Sequence, residues 1–143
     1  MKAHLTKKRN NPEHKEQAAL IQWRDYAMQT IPELKMLFAI PSGGIRPGKK
    51  VIGKNGKVKW ISVEGKKLKA EGVTKGVPDL FLAIPRGSHH GLFIEMKAAG
   101  NKCTDEQVAF HNHLRRYGYL VAVEWQWTDA KKVIEWYLAF GKR

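Results

Sequence analysis

The stretch from Gly76 to Gly100, GVPDLFLAIPRGSHHGLFIEMKAAG, constrains the fold of this chain more than any other. Two apolar runs, Leu80–Ile84 and Leu92–Met96, flank a turn rich in Gly, Ser and His, which is the pattern of two buried strands joined as a hairpin. One acid goes with each run, Asp79 immediately before the first and Glu95 inside the second. A carboxylate in an apolar strand is costly unless a partner compensates it. Asp79 and Glu95 are equidistant in sequence from Gly87, the middle of the turn. Antiparallel pairing about that turn therefore sets the two acids close to opposite each other, with Cβ atoms about 4.5–5.5 Å apart. Side chains alternate along a strand, so Lys97 shares the face of Glu95 and Met96 takes the other.

Two carboxylates so close repel when both are ionised. A divalent cation relieves that conflict. A few oxygen ligands with room left for water and phosphate suit Mg²⁺ or Mn²⁺. A lysine beside them can orient or deprotonate an attacking water, or stabilise charge on a phosphate. Spacing alone serves equally well a hairpin in which Lys97 merely bridges two acids.

Charge points to the partner. Among 143 residues, 26 Lys and Arg stand against 13 Asp and Glu, a net charge of +13. That excess suits a polyanion such as nucleic acid. Ten basic residues and only two acids, Glu64 and Glu71, lie between Arg46 and Lys75. The hydrophobic content of 43% supports a folded core. No run approaches the roughly 20 apolar residues of a membrane span, and the N-terminus has no apolar run of a secretory signal. One cysteine, Cys103, allows no internal disulfide and no cysteine-based zinc site, which fits a reducing, cytoplasmic setting.

Along the chain, residues 1–11 read as a loose basic arm. A helix is expected from Pro12 to about Thr30, with Asn11 as N-cap and Ala19, Leu20, Trp23 and Ala27 as its buried stripe. LKMLFAI is expected to be a buried strand, and PSGGIRPG a loop. Residues 49–61 read as a lysine-studded hairpin whose Asn55-Gly56 is a two-residue type I′ turn. VEGKKLKAEG reads as a short helical turn ending at Gly72. Thr104 and Gln107 form a capping box on a helix that Gly118 ends. A strand, YLVAVEW, and a last helix capped by Thr128 follow. His89 and His90 lie beyond the acids on the turn. His111 and His113 fall on different faces of their helix and read as surface or DNA-facing residues. With no internal repeat or linker, residues 1–143 read as one α/β domain, a mixed β-sheet flanked by helices.

Pro78-Asp79 followed by Glu95-Met96-Lys97 resembles the PD-(D/E)xK nuclease signature. The wider text, GVPDLFLAIPRG, GLFIEMKA and TDEQVAFHNHLRRYGYLVAV, resembles the VRR-NUC family, and so do EHKEQAALIQW and FAIPSGGIR, with Ser42 where Asn is common. The resemblance covers roughly residues 13–140, with the lysine hairpin as an insertion or variable part. It implies a restriction-endonuclease-like core and metal-dependent cleavage of DNA phosphodiesters. Asp79, Glu95 and the Met96 carbonyl are then metal ligands, Lys97 the catalytic lysine, and Gln107 the family's site glutamine. The family's helix acid falls on Glu13, preferred for its spacing to Gln17, or on Glu16. First-turn acids that complement a helix dipole, and a Gln that serves only its capping box, explain the same residues without chemistry. Ser42, Gly43, Gly44 and Arg46 are candidates for phosphate contact, joined by Lys49, Lys50, Lys54, Lys57, Lys59 and Lys75. Small members of the family resemble virus-encoded or junction-resolving nucleases, which implies branched DNA such as four-way (Holliday) junctions and a homodimer. A nuclease indifferent to branching, and a basic binding protein whose acids only brace a hairpin, are the alternatives.

Overall fold

The structure is a computed structural model that describes residues 11–42 and 48–140. Helix α1, Pro12–Ala27, begins with proline at a position that needs no amide hydrogen. Asn11 is its N-cap residue, without a side-chain hydrogen bond. A 3₁₀ turn, Pro32–Met36, leads into the three-residue strand β1, Leu37–Ala39. The buried strand expected over LKMLFAI is therefore half this turn and half a short strand, and only Leu37 of β1 is buried. Pro32 opens the turn, and among the described residues β1 is an edge strand paired only with β4, with Phe38 and Ala39 exposed.

Strand β2, Lys49–Ile52, pairs antiparallel with β3, Val58–Ile61, as a separate two-stranded sheet. Its turn differs from the expected type I′. The Gly56 amide donates to the Gly53 carbonyl at 2.9 Å, Asn55 keeps a negative φ, and Gly56 alone takes φ +71°. That is the longer hairpin loop, a turn followed by a left-handed glycine, with Asn55 Oδ1 accepting from the Lys57 amide. Helix α2, Val63–Ala70, follows, its N-terminus capped by the Ser62 hydroxyl.

Strands β4 (Leu80–Leu82) and β5 (Leu92–Met96), helix α3 (Asp105–Arg116), strand β6 (Leu120–Glu124) and helix α4 (Trp127–Ala139) complete the chain. The main sheet runs β1-β4-β5-β6, antiparallel except for the parallel β5–β6 pair that α3 connects. One face of its central strands carries Leu80, Leu82, Leu92, Ile94 and Met96, and packs on Leu20 of α1 and Ile134, Tyr137 and Leu138 of α4 in the core. The other face carries Phe81 stacked on Phe93, with Tyr119 set edge-on against both. The acids and Lys97 share the parity of this second face. The pleat thus separates the core from the candidate site.

Helix α4 starts earlier than the Thr128 cap anticipated. Gln126 is its N-cap residue and makes no side-chain cap bond. Instead Glu16 of α1 reaches across, its Oε2 accepting from the Trp127 amide at 2.7 Å. Among the described residues no helix is long and apolar enough to cross a membrane.

Candidate active site

The register Leu80↔Ile94, Phe81↔Phe93, Leu82↔Leu92 extends by one residue to set Asp79 across from Glu95, as the hairpin symmetry requires. Asp79 is anchored through its main chain, whose carbonyl accepts from the Ile40 amide, and through Oδ2, which accepts from the Met96 amide at 2.8 Å. Burial raises its pKa to about 6, and the nearby Glu95 charge adds to the rise. The Met96 hydrogen bond and the Lys97 charge oppose it.

Glu95 is only 2% exposed. Its Oε1 accepts from Gln107 Nε2 at 2.6 Å and lies 3.1 Å from Lys97 Nζ. Its Oε2 faces His111 Nε2 at 3.7 Å. Lys97 is itself buried, and its amide is held by the Glu124 carbonyl at the end of β6. A buried ion pair of this kind repays its desolvation only with further hydrogen bonds, and Gln107 supplies one.

Gln107 closes the capping box and also reaches Glu95. Its amide donates to Thr104 Oγ1 and its Oε1 accepts from the Thr104 amide, closing the capping box. Its Nε2 is then free to hold Glu95. The start of α3 comes this close because of Gly76, at φ +86°: a Cβ there would stand 2.6 Å from the Glu106 carbonyl oxygen. The glycine of the GVPD run is thus a contact point for the helix that carries Gln107.

The two helix acids part company. Glu13 Oε1 accepts from the Ala98 amide at 3.1 Å, and Glu13 lines one open cleft of about 410 Å³ with Asp79, Glu95, Lys97 and Gln107. Glu16 points to α4. Ser42 and Lys75 line the same cleft. Lys49, Lys50, Lys54, Lys57 and Lys59 are all exposed on the β2–β3 hairpin. Gly43, Gly44 and Arg46, with residues 1–10 of the expected arm, lie outside the described residues. Met96 buries its side chain in the core while its main chain runs beside the acids. A larger cavity, about 510 Å³, lies against α2 and shares Thr74 and Lys75 with the cleft, but among the described residues no carboxylate lines it.

His111 corrects the sequence reading. It is 2% exposed and faces Glu95, whereas His113 is exposed as expected. The signal was present in the spacing, because His111 follows Gln107 by four residues and so shares its helix face. His90 sits far from the acids, its ring edge-on to Tyr119 and its amide donating to the Gly118 carbonyl.

Among the described residues, no three His, Cys, Asp or Glu side chains converge as a ready-made metal site. The donor set nonetheless fits a hard divalent cation. It consists of carboxylates, with the pKa of Asp79 held up by burial and by the charge of Glu95, on a cleft open to phosphate and water.

The family model described as VRR-NUC domain matches residues 50–124. A solved structure titled "VRR_NUC domain protein" is similar over 93% of this chain and 93% of its own, with a TM-score of 0.68 and 25% identity. No curated protein matches.

Proposed function

The chain belongs to the VRR-NUC family of nuclease domains, and from that premise we propose that it is an endonuclease cutting DNA phosphodiesters with Mg²⁺ or Mn²⁺ at the Asp79–Glu95–Lys97 cluster. The observation that carries this reading is the pairing of Asp79 with Glu95 across one hairpin, with Lys97 on the Glu95 carboxylate, in a cleft also lined by Lys75. Asp79, Glu95, the Met96 carbonyl and Glu13 are the groups that hold the cation. Bound there, a divalent cation would supply charge against the scissile phosphate and lower the pKa of a bound water.

The residues of the chain divide the remaining work. Gln107 holds Glu95 Oε1 through its amide and so keeps the carboxylate oriented. Lys97 stands beside that oxygen and lends positive charge to the phosphate, or fixes the attacking water, as DNA enters. Ser42 and Lys75 at the cleft grip the backbone next to the cut. Gly43, Gly44, Arg46 and the hairpin lysines extend the grip along the strand. Residues 1–143 act as one nuclease unit, and hydrolysis leaves a 5′-phosphate and a 3′-hydroxyl.

Contacts made by lysines and main chain to the phosphate backbone favour recognition of shape over sequence. We therefore infer branched DNA, four-way junctions above all, as the preferred substrate, and a homodimer that cuts two strands symmetrically in a reducing, cytoplasmic setting. The test is cleavage of end-labelled four-way junction, flap and linear duplex with Mg²⁺, Mn²⁺ or EDTA, with Lys97→Ala as control. Paired symmetric cuts confined to the junction support the full reading. Cuts in every substrate leave the nuclease and remove the branch preference. Binding without any metal-dependent cut reduces the protein to a basic binding module and sinks the enzyme reading.

A further inference from the structure

Among the described residues, two buried side-chain atoms have no hydrogen-bond partner: Glu95 Oε2 and His111 Nε2. They face each other at 3.7 Å. Burying a polar atom without a partner is costly, and two such atoms in one place call for a common explanation. Each is the nearest remedy for the other, since a shift of roughly half an ångström brings them within hydrogen-bond range.

Their placement is systematic. Gln107 and His111 lie one turn apart on α3, and both side chains meet the carboxylate of Glu95, Gln107 at Oε1 and His111 at Oε2. The floor of the site is set by β5, so Glu95 is clasped between a strand and one face of a helix. We propose that His111 is a positioning residue for Glu95. With a hydrogen on Nε2 it donates to Oε2 and, with Gln107 on the other oxygen, fixes the carboxylate plane that receives the cation. The proposal rests on the reading of Glu95 as a cation ligand. A partner of this kind around a ligating group typically changes metal affinity about 10–100-fold.

Three measurements on the full chain test it: the ¹⁵N signature of the His111 ring in the wild type, Mn²⁺ titration of the DNA-free protein by electron paramagnetic resonance, and kcat and KM on junction DNA. The variants are His111→Leu, which fills the space without a donor, and His111→Gln, which restores an N–H. The expected results are a hydrogen on Nε2 in the wild type and roughly tenfold weaker Mn²⁺ binding in His111→Leu. A fall in kcat with KM little changed should accompany the weaker binding, with substantial recovery of both in His111→Gln. A folded His111→Leu that binds Mn²⁺ and cuts like the wild type overturns the proposal and makes His111 a packing residue. Should His111→Leu fail to fold, the wild-type spectrum decides alone: a ring protonated only on Nδ1 overturns it. If the wild type itself neither binds Mn²⁺ nor cuts any substrate, the cation-site reading fails and this proposal falls with it.

Discussion

Asp79 holds the most perturbed carboxyl of the site, raised from 3.8 to about 6 chiefly by burial and then by Glu95. Between those two values the folded protein binds a proton that the unfolded chain has released, so the stability of the metal-free protein falls as pH rises through about 4 to 6. Above that window the ionised carboxylate is a standing cost of the site. Asp79→Asn keeps an oxygen for the Met96 amide and removes the charge. It is expected to raise the melting temperature of the metal-free protein by roughly 3–6 °C at pH 7–8. The gain should vanish near pH 4, and cleavage should be lost at every pH. Thermal melts across pH 4–8 check this, and an Asn variant less stable than wild type at pH 8 would show that the charge is compensated. At this scale much was legible. The Asp79–Glu95 pairing followed from sequence symmetry about Gly87, and Lys97 from strand alternation. His111 was less legible: its spacing to Gln107 marks the helix face it shares, but that Glu95 lies beneath that face follows only from how α3 packs on the sheet.

At the scale of elements, local signals served where the partner was local. The capping box of α3 and the glycine at its end needed only neighbouring residues. They failed where the partner came from elsewhere. Thr128 is a reasonable cap on paper, yet α4 begins earlier because Glu16, far away in sequence, accepts the Trp127 amide. The hairpin turn was misjudged for a related reason, since Asn-Gly permits a tight turn but pairing of Ile52 with Val58 demands a longer one. The two acids of α1 can now be separated by experiment. Glu16→Ala removes a charged cap from α4 and is expected to cost about 1 kcal/mol, lowering the melting temperature by a few degrees while the folded enzyme still cuts. Glu13→Ala is expected to weaken Mn²⁺ binding and cleavage instead. Loss of cleavage in Glu16→Ala without loss of stability would reverse the assignment.

Across the whole molecule, the exposed lysine cluster and the cleft carboxylates occupy different places. The carboxylates sit in the cleft beside the main sheet, while five lysines project on a separate hairpin, where Lys49, Lys50, Lys54, Lys57 and Lys59 are all exposed. Replacing all five with Gln should weaken DNA binding at every sequence. It should also flatten the dependence of log K on log salt by up to roughly 4.5 units, about 0.9 for each of five phosphates no longer neutralised. Anisotropy titrations between low and moderate salt in EDTA measure that slope, and an unchanged slope would remove the hairpin from the DNA path. The mixed sheet was legible from the order of its elements, and so was the hairpin. The brevity of β1 was not, because an edge strand depends on how much sheet lies beside it, which no window of sequence contains. Strand β5 carries a consequence of its own. Leu92, Ile94 and Met96 answer to the core, while Glu95, with Lys97 just beyond the strand, answers to the cleft. Under the proposed cation site, drift along this one ribbon answers to two separate standards in alternation: even-numbered positions exchange one hydrocarbon for another of similar bulk, and Glu95 and Lys97 keep their charges, so that divergence among descendants would be written with a period of two.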